Sequence, residues 1–112
     1  MICKILRAHE AAALARDGVF AGSPDDARDG FVHLSTAAQA PGTAAKHFAG
    51  ESGLVLAAVA AARLGEALRW EVSRGGARFP HLYRELRASD VLWTRPLPLG
   101  PDGAHVFPEG FR

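Results

Sequence analysis

Two short stretches of this sequence gather side chains able to carry protons and hold anions. The first is Gly30-Phe31-Val32-His33-Leu34-Ser35-Thr36; the second runs from Trp70 through Glu71, Ser73 and Arg74 to His81 and Tyr83. In an extended strand His33 and Ser35 share one face, while Val32 and Leu34 share the other. With Val32 and Leu34 in a core, an imidazole and a hydroxyl point outward where the strand ends. Thr36 followed by Gln39 forms a capping-box signature. A helix is predicted to begin there, and its free N–H groups would seat a phosphate or another anion. The competing reading is plainer: Ser35 or Thr36 only caps the helix, and His33 is a structural histidine with a fixed partner.

In the second stretch Glu71 lies on the polar face of its strand, between Arg69 and Ser73. Arg74-Gly75-Gly76-Ala77-Arg78 can bring two guanidinium groups and freely turning backbone amides to an anion. It matches no dinucleotide or P-loop fingerprint, and by itself it reads as a solvated turn. The adjoining Phe79, His81 and Tyr83 change the balance, because they add stacking surface and a proton carrier. The candidate catalytic residues are therefore Glu71 and His33. Candidate ligand contacts are Ser35, Thr36, Trp70, Ser73, Arg74, Gly75, Gly76, Arg78, Phe79, His81 and Tyr83. No metal site is expected, since no two of the five histidines have H-E-x-x-H spacing and Cys3 is the single cysteine. Cys3 has no acidifying neighbour, and no G-x-S-x-G elbow marks a serine nucleophile.

The elements that must position these residues are short. Ile2 to Leu6 reads as a first strand, and His9 to Asp17 as a helix stopped by Gly18. Val19-Phe20 is a brief extended piece, Ser23-Pro24-Asp25-Asp26 a turn, and Phe31 to Leu34 a strand. A second helix runs through Lys46-His47-Phe48 to Gly50, with Pro41 delaying its start. Leu54 to Val59 has the continuous apolar character of a strand buried on both faces. Leu68 to Ser73 alternates, with Leu68, Trp70 and Val72 on its apolar face. Val91 to Arg95 is a further strand that Pro96 and Pro98 limit to an edge or an end, and His105-Val106-Phe107 reads as a last edge strand. Six strands and two helices without regular alternation indicate an α+β fold.

Composition narrows the class. A chain of 112 residues, 48% apolar, fits one domain spanning residues 1–112 with its own core. Its net charge of +1 argues against a binder of double-stranded nucleic acid. The start of the chain lacks a signal-peptide core. The longest apolar run, Leu54 to Ala62, is half of what a membrane helix needs. A cytoplasmic location without membrane attachment is expected.

Taken together, the Gly30–Thr36 stretch and the Leu68–Tyr83 stretch resemble the two signature segments of a bacterial family known as domain of unknown function 952. Lys4-Ile5-Leu6, Phe20-Ala21-Gly22-Ser23, Asp29-Gly30 and Lys46-His47-Phe48 resemble it as well. The resemblance implies a small split, mostly antiparallel sheet with two helices, similar to the ADP-ribosyltransferase-like fold and its NAD cleft. His33-Leu34-Ser35 is similar to the element that holds the nicotinamide ribose there, and Glu71 to the carboxylate that orients a ribose hydroxyl. The ligand implied by this likeness is NAD or another nucleotide, with ADP-ribosyl or phosphotransferase-like chemistry. His33 and Ser35 would grip ribose, Arg74 and Arg78 phosphates, and Tyr83 or Trp70 would stack. A non-catalytic small-molecule-binding domain is the alternative, and a metal-dependent hydrolase using His33, His81 and Glu71 a third. Fold analogy does not by itself transmit activity.

Overall fold

The run Leu54-Val55-Leu56-Ala57-Ala58-Val59 contains no polar residue because both faces of the strand it forms are covered. The computed structural model describes residues 1–111, apart from the side chain of Arg74. In it β5 (Leu54–Val59) lies between β1 (Ile2–Leu6) and β9 (Val91–Leu97), with β4 (Ser35–Thr36) on the far side of β1. Leu56 stands opposite Ile5 and Arg95, and all pairings are antiparallel. Leu54 and Leu56 meet Cys3, Ile5 and Leu97 on one face, closed by Ala40 and Ala44 of helix α3 (Ala40–His47). Ala57 and Val59 meet Ile2, Leu6, Val32 and Leu82 on the other, closed by Leu14 of helix α1 (Ala8–Asp17). Gly18 ends α1 in the left-handed conformation at φ 76°, as expected of a glycine in that place.

A three-stranded antiparallel sheet carries the candidate residues, in the order β3 (Val32–His33), β7 (Arg78–Leu82), β6 (Leu68–Val72). A smaller ladder joins β2 (Val19–Phe20) to β8 (Leu86–Arg87). The strand expected over Phe31–Leu34 breaks at Leu34. The Leu34 N–H donates to the Pro80 carbonyl at 3.0 Å, and the chain then leaves this sheet to pair Ser35 with Cys3 of β1. One stretch, Val32 to Thr36, therefore belongs to both sheets. That corner also explains why Pro80 is tolerated in a central strand. Its nitrogen faces Leu34, the last residue to bond this strand on that side, so the proline forgoes one reciprocal bond where the ladder is ending anyway.

Four helices are present among the described residues rather than two. The segment read as a turn at Ser23 is the start of α2 (Pro24–Asp29). Ser23 Oγ accepts from the Asp26 N–H at 3.2 Å, Asp26 Oδ2 accepts from the Ser23 N–H at 2.9 Å, and Pro24 occupies the first turn. Ser23→Ala should lower the unfolding free energy by about 1 kcal/mol, read from the midpoint of urea denaturation. The fourth helix is the single turn α4 (Ala61–Leu64). The capping pair Thr36–Gln39 forms, with reciprocal bonds of 3.0 and 3.1 Å, but it closes a turn and the helix begins only at Ala40. The anion seat expected at Thr36 is accordingly displaced. His105 makes one isolated bridge to Leu99 instead of a last strand. The fold is α+β with antiparallel sheets. No helix among the described residues is long and apolar enough to cross a membrane.

Candidate functional site

Lys4 is the one charged residue of a strand whose five positions are all buried, so its ammonium needs a partner inside the protein. The partner is Asp26. Lys4 Nζ donates to Asp26 Oδ2 at 3.0 Å and to the His33 carbonyl at 2.9 Å. Asp26 Oδ1 accepts from the His33 N–H at 3.0 Å and lies 2.6 Å from His33 Nδ1. Burial works against charge on Asp26, but the His33 bond and the Lys4 ammonium outweigh it and hold the carboxyl well below the usual carboxylate range. Gly22, at φ 129°, lets the chain pass this carboxylate, since a Cβ there would fall 2.7 Å from that of Asp26. His33 Nε2 is 2.9 Å from Asp29 Oδ2 at the end of α2.

A second imidazole–carboxylate pair stands beside the first. His33 and His81 are opposite one another in β3 and β7, with ring centroids 5.6 Å apart. His81 Nδ1 lies 2.8 Å from Glu71 Oε1, and the Tyr83 hydroxyl donates to the same oxygen at 2.7 Å. The bonds from Tyr83 and His81 hold Glu71 below its ordinary range, and the bond between Glu71 and Tyr83 pushes the Tyr83 hydroxyl up. Phe31 stacks on His81 at 4.0 Å and leans against His33 at 4.5 Å and Tyr83 at 5.3 Å. Phe79, His81 and Tyr83 share one face of β7 with Glu71 and Ser73 of β6, by the alternation of paired strands.

The two imidazoles border a cavity of about 370 Å³ between α2, α3, β1 and the β3–β7 pair, the size of a small-molecule site. His33, Ser35, Ser73, Phe79 and His81 line it, as do Lys4, Asp26, Asp29, Thr43 and Lys46. Ser35 Oγ and Thr43 Oγ1 are 2.9 Å apart across its floor. Lys46 is exposed and its ammonium makes no ion pair or hydrogen bond among the described residues, in contrast to Arg7, which binds Glu51, and Arg28, which binds Asp25 and Asp29. No group of three His, Cys, Asp or Glu among the described residues is arranged to hold a metal ion. Burial pushes the Cys3 thiol up to about 12, which leaves it a packing residue.

Of the remaining residues singled out in the sequence, Glu71 and Tyr83 stand behind His81 rather than in the cavity. Thr36 is occupied with Gln39 and the β1 ladder. Gly75 and Gly76, at φ 68° and 79°, turn the chain between β6 and β7. Arg78 is exposed, its guanidinium 3.5 Å from the Trp70 carbonyl. The side chain of Arg74 lies outside the described residues. Trp70 is on the opposite face of β6 from Glu71 and away from the cavity, so it does not take the stacking role expected of it: Trp70 is 44% and Val72 63% exposed, while Leu68 on the same face packs against the core. Sequence reasoning names none of Lys4, Asp26, Asp29, Thr43 and Lys46 as site residues, although Lys4, Asp29 and Lys46 fall in the shorter family-like segments. A lysine inside an apolar strand and a Ser-Pro-Asp-Asp helix start are the available signals for the first two.

The class so defined is a small α+β domain with two histidine–carboxylate pairs on a cavity where its sheets meet. The family model described as protein of unknown function (DUF952) matches residues 5–94, and the chain belongs to that family. It is similar to protein CC0527 from Caulobacter crescentus. The crystal structure of that protein is 53% identical over 94% of this chain and 92% of that one, with a TM-score of 0.89. The solution NMR structure of CC0527 is 54% identical over 92% and 89% of the two chains, with a TM-score of 0.83. A comparison with curated proteins found no match.

Proposed function

We propose that the cavity binds a nucleotide-like ligand, a phosphate-bearing ribose on the ADP-ribosyltransferase-like plan, and that His81 moves a proton on it. The observation carrying this reading is the placement of His81. Its Nδ1 is taken by Glu71 outside the cavity while the ring lines the cavity, so Nε2 is the nitrogen left for a ligand. A carboxylate on Nδ1 orients an imidazole and stabilises the imidazolium formed when Nε2 accepts a proton. Glu71 thus acts through His81 as a positioning residue, rather than touching a ribose hydroxyl itself. The Ser35–Thr43 hydroxyls and Asp29 suit the hydrogen bonds of a sugar, and Lys46 supplies positive charge to a phosphate. That role replaces the one expected of Arg78.

The test is thermal stability of the protein against NAD, ADP-ribose, mononucleotides and 2′-phosphorylated RNA ends. A ligand at a hundred times its dissociation constant adds about 2.7 kcal/mol to stability. At least one of these ligands should raise the melting temperature, and the rise should vanish in His81→Ala and in Lys46→Ala. No rise with any of them would remove the nucleotide reading.

A further inference from the structure

The edge strand β6 is self-complementary, and we propose that two copies of this chain pair through it as a two-fold dimer. The open edge lies away from the cavity, and the pairing shares one residue with the site: Glu71, whose Oε1 is held by His81 and Tyr83, would meet the second copy through Oε2. Three observations meet here.

The first is backbone direction. Pro80 directs its carbonyl to Leu34, away from β6, so Trp70, its partner in register, forms a non-hydrogen-bonded pair with it. Trp70 therefore points its own N–H and C=O away from β7, to the open edge of the sheet. Among the described residues only the exposed guanidinium of Arg78 meets that carbonyl, at the long distance of 3.5 Å. Val72 has the same orientation by alternation. The strand has neither a proline nor a bulge to protect this edge.

The second is charge. β6 reads Leu68-Arg69-Trp70-Glu71-Val72. An antiparallel copy centred on Trp70 sets Trp70 against Trp70, exchanging both backbone bonds. Arg69 then lies opposite Glu71 of the second copy, and Glu71 opposite its Arg69. These fall at the non-hydrogen-bonded positions, where side chains approach most closely. A parallel copy, or an antiparallel one shifted by two residues, loses both ion pairs.

The third is apolar surface. Trp70 and Val72 are among the most exposed large apolar residues of the chain, and they lie on one face. In the two-fold arrangement Val72 stands opposite Leu68 of the second copy, and the two tryptophans meet at the centre. One patch covers the other, as an isologous interface requires.

Sedimentation velocity on the full chain, with amide exchange by NMR, tests this. The wild type should sediment as two 11.9 kDa chains, with Trp70 and Val72 amides protected. Trp70→Glu and Arg69→Glu, both at exposed positions, should each sediment as one chain with unchanged folded spectra. In both variants the Val72 amide should exchange freely. A wild type that remains a single chain at the concentrations of the NMR experiment overturns the proposal. So does a dimer that survives both substitutions, or one in which the Val72 amide exchanges as fast as in the variants.

Discussion

Asp26→Ala is expected to lower the unfolding free energy by about 3–5 kcal/mol, the usual consequence of leaving a buried charge without its partner. The stranded charge is Lys4, whose side chain is 8% exposed against 1% for Asp26. The same carboxylate holds the backbone and ring of His33 and the N–H of Ser23, so the loss extends to the start of α2 and one wall of the cavity. Urea denaturation gives the number. Lys4→Met in the same chain should return part of the loss, since no unpaired ammonium then remains; a double variant less stable than the single one would refute this account. The pH dependence has a definite sign. The folded-state pKa of Asp26 is depressed, so its contribution is fully present above the ordinary aspartate value of 3.8 and is lost as pH falls below it, toward the folded value. Acid unfolding should therefore begin at higher pH in Asp26→Ala than in a variant of an exposed carboxylate such as Glu109.

Glu71→Gln carries the second large effect. The amide keeps the shape of the side chain and can still accept from His81, so the stabilisation by the nucleotide-like ligand should persist. It lacks the charge that steadies an imidazolium, and turnover of whichever ligand reacts should fall by about 10² to 10⁴-fold. Kinetics separate this from simple damage: in Glu71→Gln turnover should fall while the ligand still raises the melting temperature, and Tyr83→Phe, which removes only a neutral donor to the same oxygen, should keep most of the turnover. Loss of binding equal to the loss of turnover would show that Glu71 holds the ligand or the fold instead. If no ligand that binds is ever turned over, the non-catalytic alternative is the correct one.

Much of the fold is legible in the sequence because its signals are local. The apolar run at Leu54 to Val59, Gly18 after an alanine-rich helix, and prolines confining β9 to an edge each carry their own cause. Other features depend on residues distant in sequence. Pro80 hides β7 from any reading of strand propensity, because its tolerance depends on where β3 ends. The alternation of Leu68, Trp70 and Val72 is real, yet periodicity cannot tell whether anything covers the face it creates. The site divides in the same way. His33, Ser35 and His81 stand out because strand geometry aims them at one side. Asp26 and Lys4 do not, since neither becomes intelligible until the first strand and α2 are side by side.

The corner at Leu34 has a mechanical corollary. Because residues 32 to 36 are bonded into two sheets at once, the histidine wall of the hollow cannot swing outward unless ladder bonds on one side or the other are broken. The opposite rim is built from α2 and α3, which are fastened to the sheets by side chains, Asp26 on Lys4 and His33 and Thr43 on Ser35, and not by ladder bonds. Admission of bulky molecules must then be decided at the helical rim, and relatives that accept different cargo should differ there while the strand side stays rigid.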